Sequence, residues 1–216
     1  RFGGPGLAAC NPLLAFQLMN NFTMCHAAIQ EGIGGPSGAL FSRGAGTIAA
    51  LAAARRSVED GDCAIAIAGG ADSALHPVTW AELVRDGRAV VPGEGCGLIA
   101  IADDDRFPAL ATLCTVASFP LDGEGELAAT IGAAIGPDAE EIVIAVGADA
   151  NAVRGMVAAH APAARIHDLG LGEALAATPA LAWLAALDRI RLGARRVVTL
   201  TIGVDGDLGV VTLEAP

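Results

Sequence analysis

The chain has 216 residues, 53% of them hydrophobic, and a mean hydropathy of +0.53, so it can bury a sizeable core. A net charge of −11 and a pI near 4.6 repel a phosphate backbone and set nucleic-acid binding aside. No apolar run reaches the ~18 residues of a membrane helix, no leader of the charged-then-apolar kind is seen at Arg1, and five scattered cysteines without a CxxC pair argue against a disulfide framework or a zinc site.

In chain order, the first clear element is a helix over Gly46 to Asp60, with Ile48, Leu51, Ala52 and Val58 at helical spacing and Asp60-Gly61 as its stop. A strand from Cys63 to Ala68 follows, closed by Gly69-Gly70. A glycine-rich turn, Gly93 to Gly97, then feeds the strand Leu98 to Ala102. Asp103 to Pro108 interrupts the apolar pattern as a seam, Asp122 to Glu126 marks a surface loop, and Ile142 to Val146 is a buried strand. Further on come a helix over Glu173 to Leu192 stopped by Gly193, a β-branched strand Arg196 to Ile202, the turn Gly203-Val204-Asp205-Gly206 and a last strand Gly209 to Glu214. The two series share one order of helix, glycine, strand, glycine turn and strand, which points to an internal duplication with halves at 1–103 and 104–216. Runs such as AIAIA and VVTLTI read as strands buried on both faces, hence a layered α/β architecture.

The cysteines Cys10, Cys25, Cys63, Cys96 and Cys114 lie in apolar surroundings and read as small buried hydrophobes, in keeping with a reducing cytoplasm. Cys25-His26 is the one adjacent thiol and imidazole, but neighbours on a helix point about 100° apart. His76, His160 and His167 lie in or beside polar stretches and read as solvated, and Asp149 reads as the cap of a following helix or turn, with a general base as the alternative. No cofactor or metal motif is evident.

Residues Met19 to Ser37, with Asn21 and the Gly35-Pro36-Ser37 turn, then Gly46-Thr47, Asp60-Gly61-Asp62, Ala68 to Ala71 and Gly93 to Gly97, occur in the order of a β-ketoacyl synthase. The chain resembles that family closely in the later part of its first half and loosely in its second. The resemblance implies a thiolase-like αβαβα fold of two related halves with an abbreviated N-terminal half. It also places the family's reactive residues: the nucleophilic cysteine falls on Arg43, the two histidines near Val146 and at Glu173, and the lysine near Asp168, in a chain that has no lysine at all. The glycine-rich gate is reduced to Ile202 to Gly206.

A thiol at a helix N-terminus is activated because the helix dipole favours the thiolate. A guanidinium is permanently charged and no nucleophile, and a cation there is disfavoured by roughly 0.3–1 kcal/mol. A buried Arg43 therefore calls for a carboxylate, Glu94 or Glu173 by family analogy; a plain surface arginine is the alternative. The resemblance implies a chain-length-factor-like subunit without covalent chemistry, paired with a catalytic ketosynthase and serving fatty acid, polyketide or aryl polyene synthesis. The acyl carrier protein would dock mainly on the partner, since two acidic surfaces repel. The strand through Ala39, Leu40 and Phe41 would pair across the dimer, and Met24, Cys25 and Ala28 on the helix Phe22 to Gln30 would face the partner or its acyl tunnel, although core packing explains them equally well. An active decarboxylase or condensing enzyme with a non-standard site, and a homo-oligomeric relic, are the alternatives.

Overall fold

The computed structural model describes residues 21–87, 90–103, 108–121, 124–136, 139–147, 150–204 and 206–216. The chain divides into two compact units, Arg1–Phe41 and Ser42–Pro216, each described by itself. The first contains helix α1 (Phe22–Glu31), stopped at Gly32 in the left-handed conformation.

The second unit starts with α2 (Arg43–Glu59). It is alanine-rich, buries Ile48, Leu51 and Val58 on one face and carries an Arg55–Glu59 ion pair at 2.6 Å one turn apart. Strand β1 (Ile65–Ser73) pairs antiparallel with β2 (Glu94–Ala102), the two being joined through α3 (Pro77–Arg85). Pro77 opens α3 where no backbone donor is needed, and His76 Nδ1 caps it by accepting the Val78 N–H at 3.3 Å. Then come β3 (Thr112–Pro120), α4 (Glu124–Ile135), β4 (Glu141–Val146), α5 (Ala150–His160), β5 (Arg165–Asp168), α6 (Ala177–Arg191), β6 (Arg196–Ile202) and β7 (Asp207–Glu214). The last five strands form a sheet of order β3-β7-β6-β4-β5, with β6, β4 and β5 parallel and β7 antiparallel to both of its neighbours.

Helices α2 and α6 form the central layer. One core joins Ile48, Leu51, Trp183, Ala186 and Ile190 to Val143, Val197, Val211 and Leu213 of the five-stranded sheet, with Ala68, Ile99 and Ile101 of β1–β2 on the other side. The opposite face of the large sheet presents Ile142, Ile144, Val198, Leu200, Leu208 and Val210 to Ile131 and Ile135 of α4 and Val153 and Val157 of α5. VVTLTI is thus buried on both faces, as its β-branched run implies.

AIAIA is not. Ile65 and Ile67 are 43% and 51% exposed, because within the second unit nothing described covers the far face of β1–β2. Four layers of the expected αβαβα stack are therefore described in that unit. Other expectations also shift. Gly69-Gly70 and Glu94 onward are not turns: β1 runs through the first pair and β2 begins at Glu94, with Gly70, Gly95 and Gly97 lying against α6 or its entrance too closely for side chains and Gly69 against β2. Glu124 to Glu126 belong to α4 rather than a loop, and α6 begins at Ala177, since Leu175 has φ 51 and breaks the helix before it. Cys96 is exposed and Cys25, Cys63 and Cys114 are half-buried, because edges and helix ends carry them. Burial and the Glu214 carboxylate push the Cys114 thiol up, so it is a poor nucleophile. Cys10, Asp149 and Asp205 lie outside the described residues, as does most of the seam at Asp103 to Pro108.

Glu141, buried at the start of β4, ties three elements together. Its carboxylate accepts Arg189 Nε at 2.5 Å and Nη2 at 3.2 Å from α6, His167 Nε2 lies 3.0 Å away on β5, and Arg165 Nη1 at 3.5 Å. The Arg189 hydrogen bond holds the Glu141 carboxyl below its ordinary 4.5, against the opposing effect of burial. A depressed folded pKa adds stability that is complete above the unfolded value and lost as pH falls through the folded one. Glu141→Gln should lower stability by about 2 kcal/mol at pH 7, through loss of charge-assisted bonds, with the difference from wild type shrinking on acidification. Urea unfolding at several pH values measures both.

Candidate functional site

The segments carrying the expected reactive positions converge where α2 and α6 begin. Arg43 is the first residue of α2 and has φ 37, a left-handed backbone conformation that is costly for a side-chain-bearing residue. One turn on, the buried Thr47 hydroxyl donates to the Ala176 carbonyl at 2.7 Å, tying α2 to the entrance of α6. The hydroxyl lies 3.5 Å from the Arg43 carbonyl.

Gly70 of β1 passes directly over this link. A Cβ there would stand 2.0 Å from the Ala176 carbonyl oxygen and 2.8 Å from Thr47 Oγ1. Asp72, two residues on, accepts the Ala176 N–H at 3.4 Å.

Glu173 lies beside this entrance, 1% exposed. Its Oε1 accepts the Leu175 N–H at 2.7 Å, which helps hold Leu175 at φ 51. Its backbone is strapped to the start of β2, with Glu173 N–H donating to the Val91 carbonyl at 2.7 Å and Gly93 N–H to the Glu173 carbonyl at 2.8 Å. Its Oε2 faces Gly147, the residue after Val146: a Cβ on Gly147 would come within 2.7 Å of it. Gly147 N–H reaches the Ile202 carbonyl at 3.4 Å, the first residue of the reduced gate. Val146, Glu173 and Ile202 are thus neighbours in space, at the C-terminal ends of β4 and β6. Asp168 ends β5, one strand away, and accepts the Gly170 N–H at 3.1 Å.

The expected Arg43–carboxylate pair is not formed. No described acid lies within ion-pair distance of Arg43: Glu94 accepts the Ser73 hydroxyl at 2.8 Å instead, and Glu173 is turned to the Leu175 amide. Arg43 is half-buried, so water supplies the solvation that a fully buried guanidinium would need from a carboxylate.

The other expected residues are elsewhere. Asn21, Met24, Cys25 and Ala28 share the half-buried face of α1, and the first three line a shallow cavity of about 270 Å³ with Ser37, Gly38 and Ala39. Leu40 and Phe41 are exposed, and Ala39 to Phe41 do not form the expected strand, because no described segment pairs with them. His26 stacks on Phe22 rather than facing Cys25, His160 lies against the Met156 carbonyl and His167 against Glu141. Among the described residues no group of three His, Cys, Asp or Glu could hold a metal ion, and no helix is long and apolar enough to cross a membrane. Asp72 and Leu175 escaped the sequence reading, and nothing local distinguishes them; Thr47 was part of the recognised Gly46-Thr47 pair, but its bond to Ala176 carried no sequence signal.

Residues 6–105 match the N-terminal domain of β-ketoacyl synthases. The second unit places a two-stranded and a five-stranded sheet on either side of one central helical layer. The chain has the thiolase-like ketosynthase fold. It superposes on the ishigamide ketosynthase/chain length factor with a TM-score of 0.74 at 20% identity, over 97% of this chain and 65% of that one. A β-ketoacyl synthase from Burkholderia phymatum gives 0.77 at 13% identity, over 95% and 68%. A ketosynthase structure bound to a hexaketide, in complex with its type II acyl-carrier protein, gives 0.78 at 9% identity, over 98% and 68%. In sequence, the chain is 31% identical over 156 residues to the actinorhodin polyketide β-ketoacyl synthase 2 of Streptomyces coelicolor, an alignment covering 56% of this chain and 38% of that protein. The chain spans less than two-fifths of that relative's length.

Gly70→Ala should destabilise the ketosynthase-like unit by about 3 kcal/mol, since the obstructing atom is backbone. Gly155→Ala in α5, where a new Cβ meets nothing within 4 Å, should stabilise by up to about 1 kcal/mol. Thermal unfolding of the pair tests the close approach, and equal midpoints would refute it.

Proposed function

We propose that the chain is a non-catalytic ketosynthase-like subunit of the chain-length-factor kind, which pairs with a catalytic β-ketoacyl synthase and helps set the length of an acyl, polyketide or polyene chain. The observation that carries this reading is Arg43. It begins α2 with φ 37, at the position where the resemblance puts a reactive cysteine. A guanidinium there can neither attack a thioester nor carry an acyl group. The Glu173 side chain is engaged by the Leu175 amide. The likeness to the actinorhodin synthase 2 and the ishigamide ketosynthase/chain length factor supports the same role.

In this reading the halves 1–103 and 104–216 descend from one duplicated unit. The half-buried face of α1, with Asn21, Met24, Cys25 and Ala28, and the segment Ala39 to Phe41 meet the partner or bound its acyl tunnel. Phe41, 85% exposed, supplies apolar surface for such a contact. The acyl carrier protein reaches the complex through the partner, and the setting is cytoplasmic.

Co-expression with the cysteine-bearing ketosynthase of the same organism should give one mixed peak on sizing chromatography. The isolated chain should release no carbon dioxide from malonyl carrier protein. Separate elution would contradict the pairing, and decarboxylation by the isolated chain would favour an active enzyme. Arg43→Cys should restore a thiol whose pKa lies below the free value of about 8.5, read from the pH dependence of its alkylation.

A further inference from the structure

Helix α3 is seated on the entrance of α6 by one side chain. Leu83 is its single buried residue, and seven of its nine residues are exposed, whereas α2 and α6 bury six and eight residues. Leu83 packs in a small cluster with Ala74, Val90, Leu175 and Val204, none of which belongs to either large core.

That seat is fixed without α3. Leu175 is held at φ 51 by its N–H bond to Glu173 Oε1, and the Glu173 backbone is strapped to the Val91 carbonyl and the Gly93 N–H. Gly172 approaches the same strap so closely that a Cβ would stand 2.3 Å from the Val91 carbonyl oxygen, and Ala74 N–H donates to the Gly93 carbonyl at 2.9 Å. None of these bonds involves a residue of α3. At one end of the helix Gly87, at φ 70, has open space where a Cβ would be, and at the other Leu75, which precedes the cap residue His76, is 51% exposed.

A segment that buries one side chain opens at a small fraction of the cost of the whole fold, because local stability follows buried apolar contact. We propose that α3 is a lid over this seat, hinged at Leu75–His76 and at Gly87 and closed by Leu83. Closed, it keeps Leu175 and Val204 at 5% and 6% exposure. Open, it leaves the strap and the Glu173 bond in place and uncovers Leu175 and Val204 at the entrance of α6 and beyond the end of β6. The lid lies within one chain and goes beyond the pairing proposed above, which it does not require.

Native-state hydrogen–deuterium exchange on the full chain tests it. The hydrogen-bonded amides of Trp80 and Asp86, at the two ends of α3, should exchange together and at least about a hundredfold faster than those of α6. Their exchange should depend little on urea below the unfolding transition, because a local opening exposes little surface. A Val204→Cys thiol, followed by peptide mass spectrometry, should be alkylated through the same urea-insensitive opening, and adding Leu83→Ala should speed it at least about tenfold. Amides of α3 that exchange only together with those of α6 would overturn the lid. So would a Val204→Cys thiol that reacts only on global unfolding, since α3 would then open without uncovering the seat.

Discussion

The crossing of β1 over the start of α6 is the constraint on which the rest of the fold depends. Gly70 lies against the Ala176 carbonyl with no room for a methyl group, and Thr47 donates to the same oxygen from α2. Helix entrances leave backbone N–H groups rather than carbonyls unpaired, so the Thr47 hydroxyl makes a bond from α2 to the Ala176 carbonyl that keeps this buried donor satisfied. The contact fixes how near the two central helices lie to the small sheet. It also ties the first turn of α2 to the entrance of α6, beside which Glu173 and the end of β4 meet. Gly95 and Gly97 extend the same approach along β2, facing Leu181 and Ala180 of α6.

The chemistry of that corner follows from side-chain identity more than from backbone shape. A left-handed residue at a helix entrance is a strained arrangement that persists only where its surroundings enforce it, and here it holds an arginine. The helix terminus would stabilise a negative charge, but the residue placed there brings a positive one. Glu173 is deeply buried and hydrogen-bonded to the turn it shapes. In the proposed reading these groups are unsuited to forming or resolving a thioester, and the role moves from bond-making to surface and volume.

Much of the second unit was legible in the sequence because its strands declare themselves. Arg196 to Ile202 is a β-branched run buried on both faces and was bounded correctly, and Ile142 to Val146 differs by one residue. The end of α2 was fixed by Asp60-Gly61, with Gly61 at φ 78. Glycine misled where its role was long-range. Gly69-Gly70 and Gly93 to Gly97 look like turn punctuation, but Gly70, Gly95 and Gly97 are strand residues without side chains where α6 and its entrance approach, a fact held in residues about a hundred positions away. AIAIA carries the composition of a doubly buried strand with one face uncovered, because burial depends on neighbours that a local pattern does not contain. At the site, Val146 and Glu173, named from the motif order, are neighbours through Gly147, but the expected Arg43–carboxylate pair is not formed, since Glu173 is engaged by an amide two residues away. The Glu141 hub gave no signal at all: a single acid before an apolar run looks like a strand end, and its partners come from α6 and β5.

The central claim is that this ketosynthase-like scaffold carries no working nucleophile. Intact-protein mass spectrometry after incubation with acetyl and longer acyl carrier proteins tests it most directly. The account predicts a single species at the unmodified mass. A stoichiometric acyl adduct released by hydroxylamine, on Cys25 or any other thiol, would contradict it.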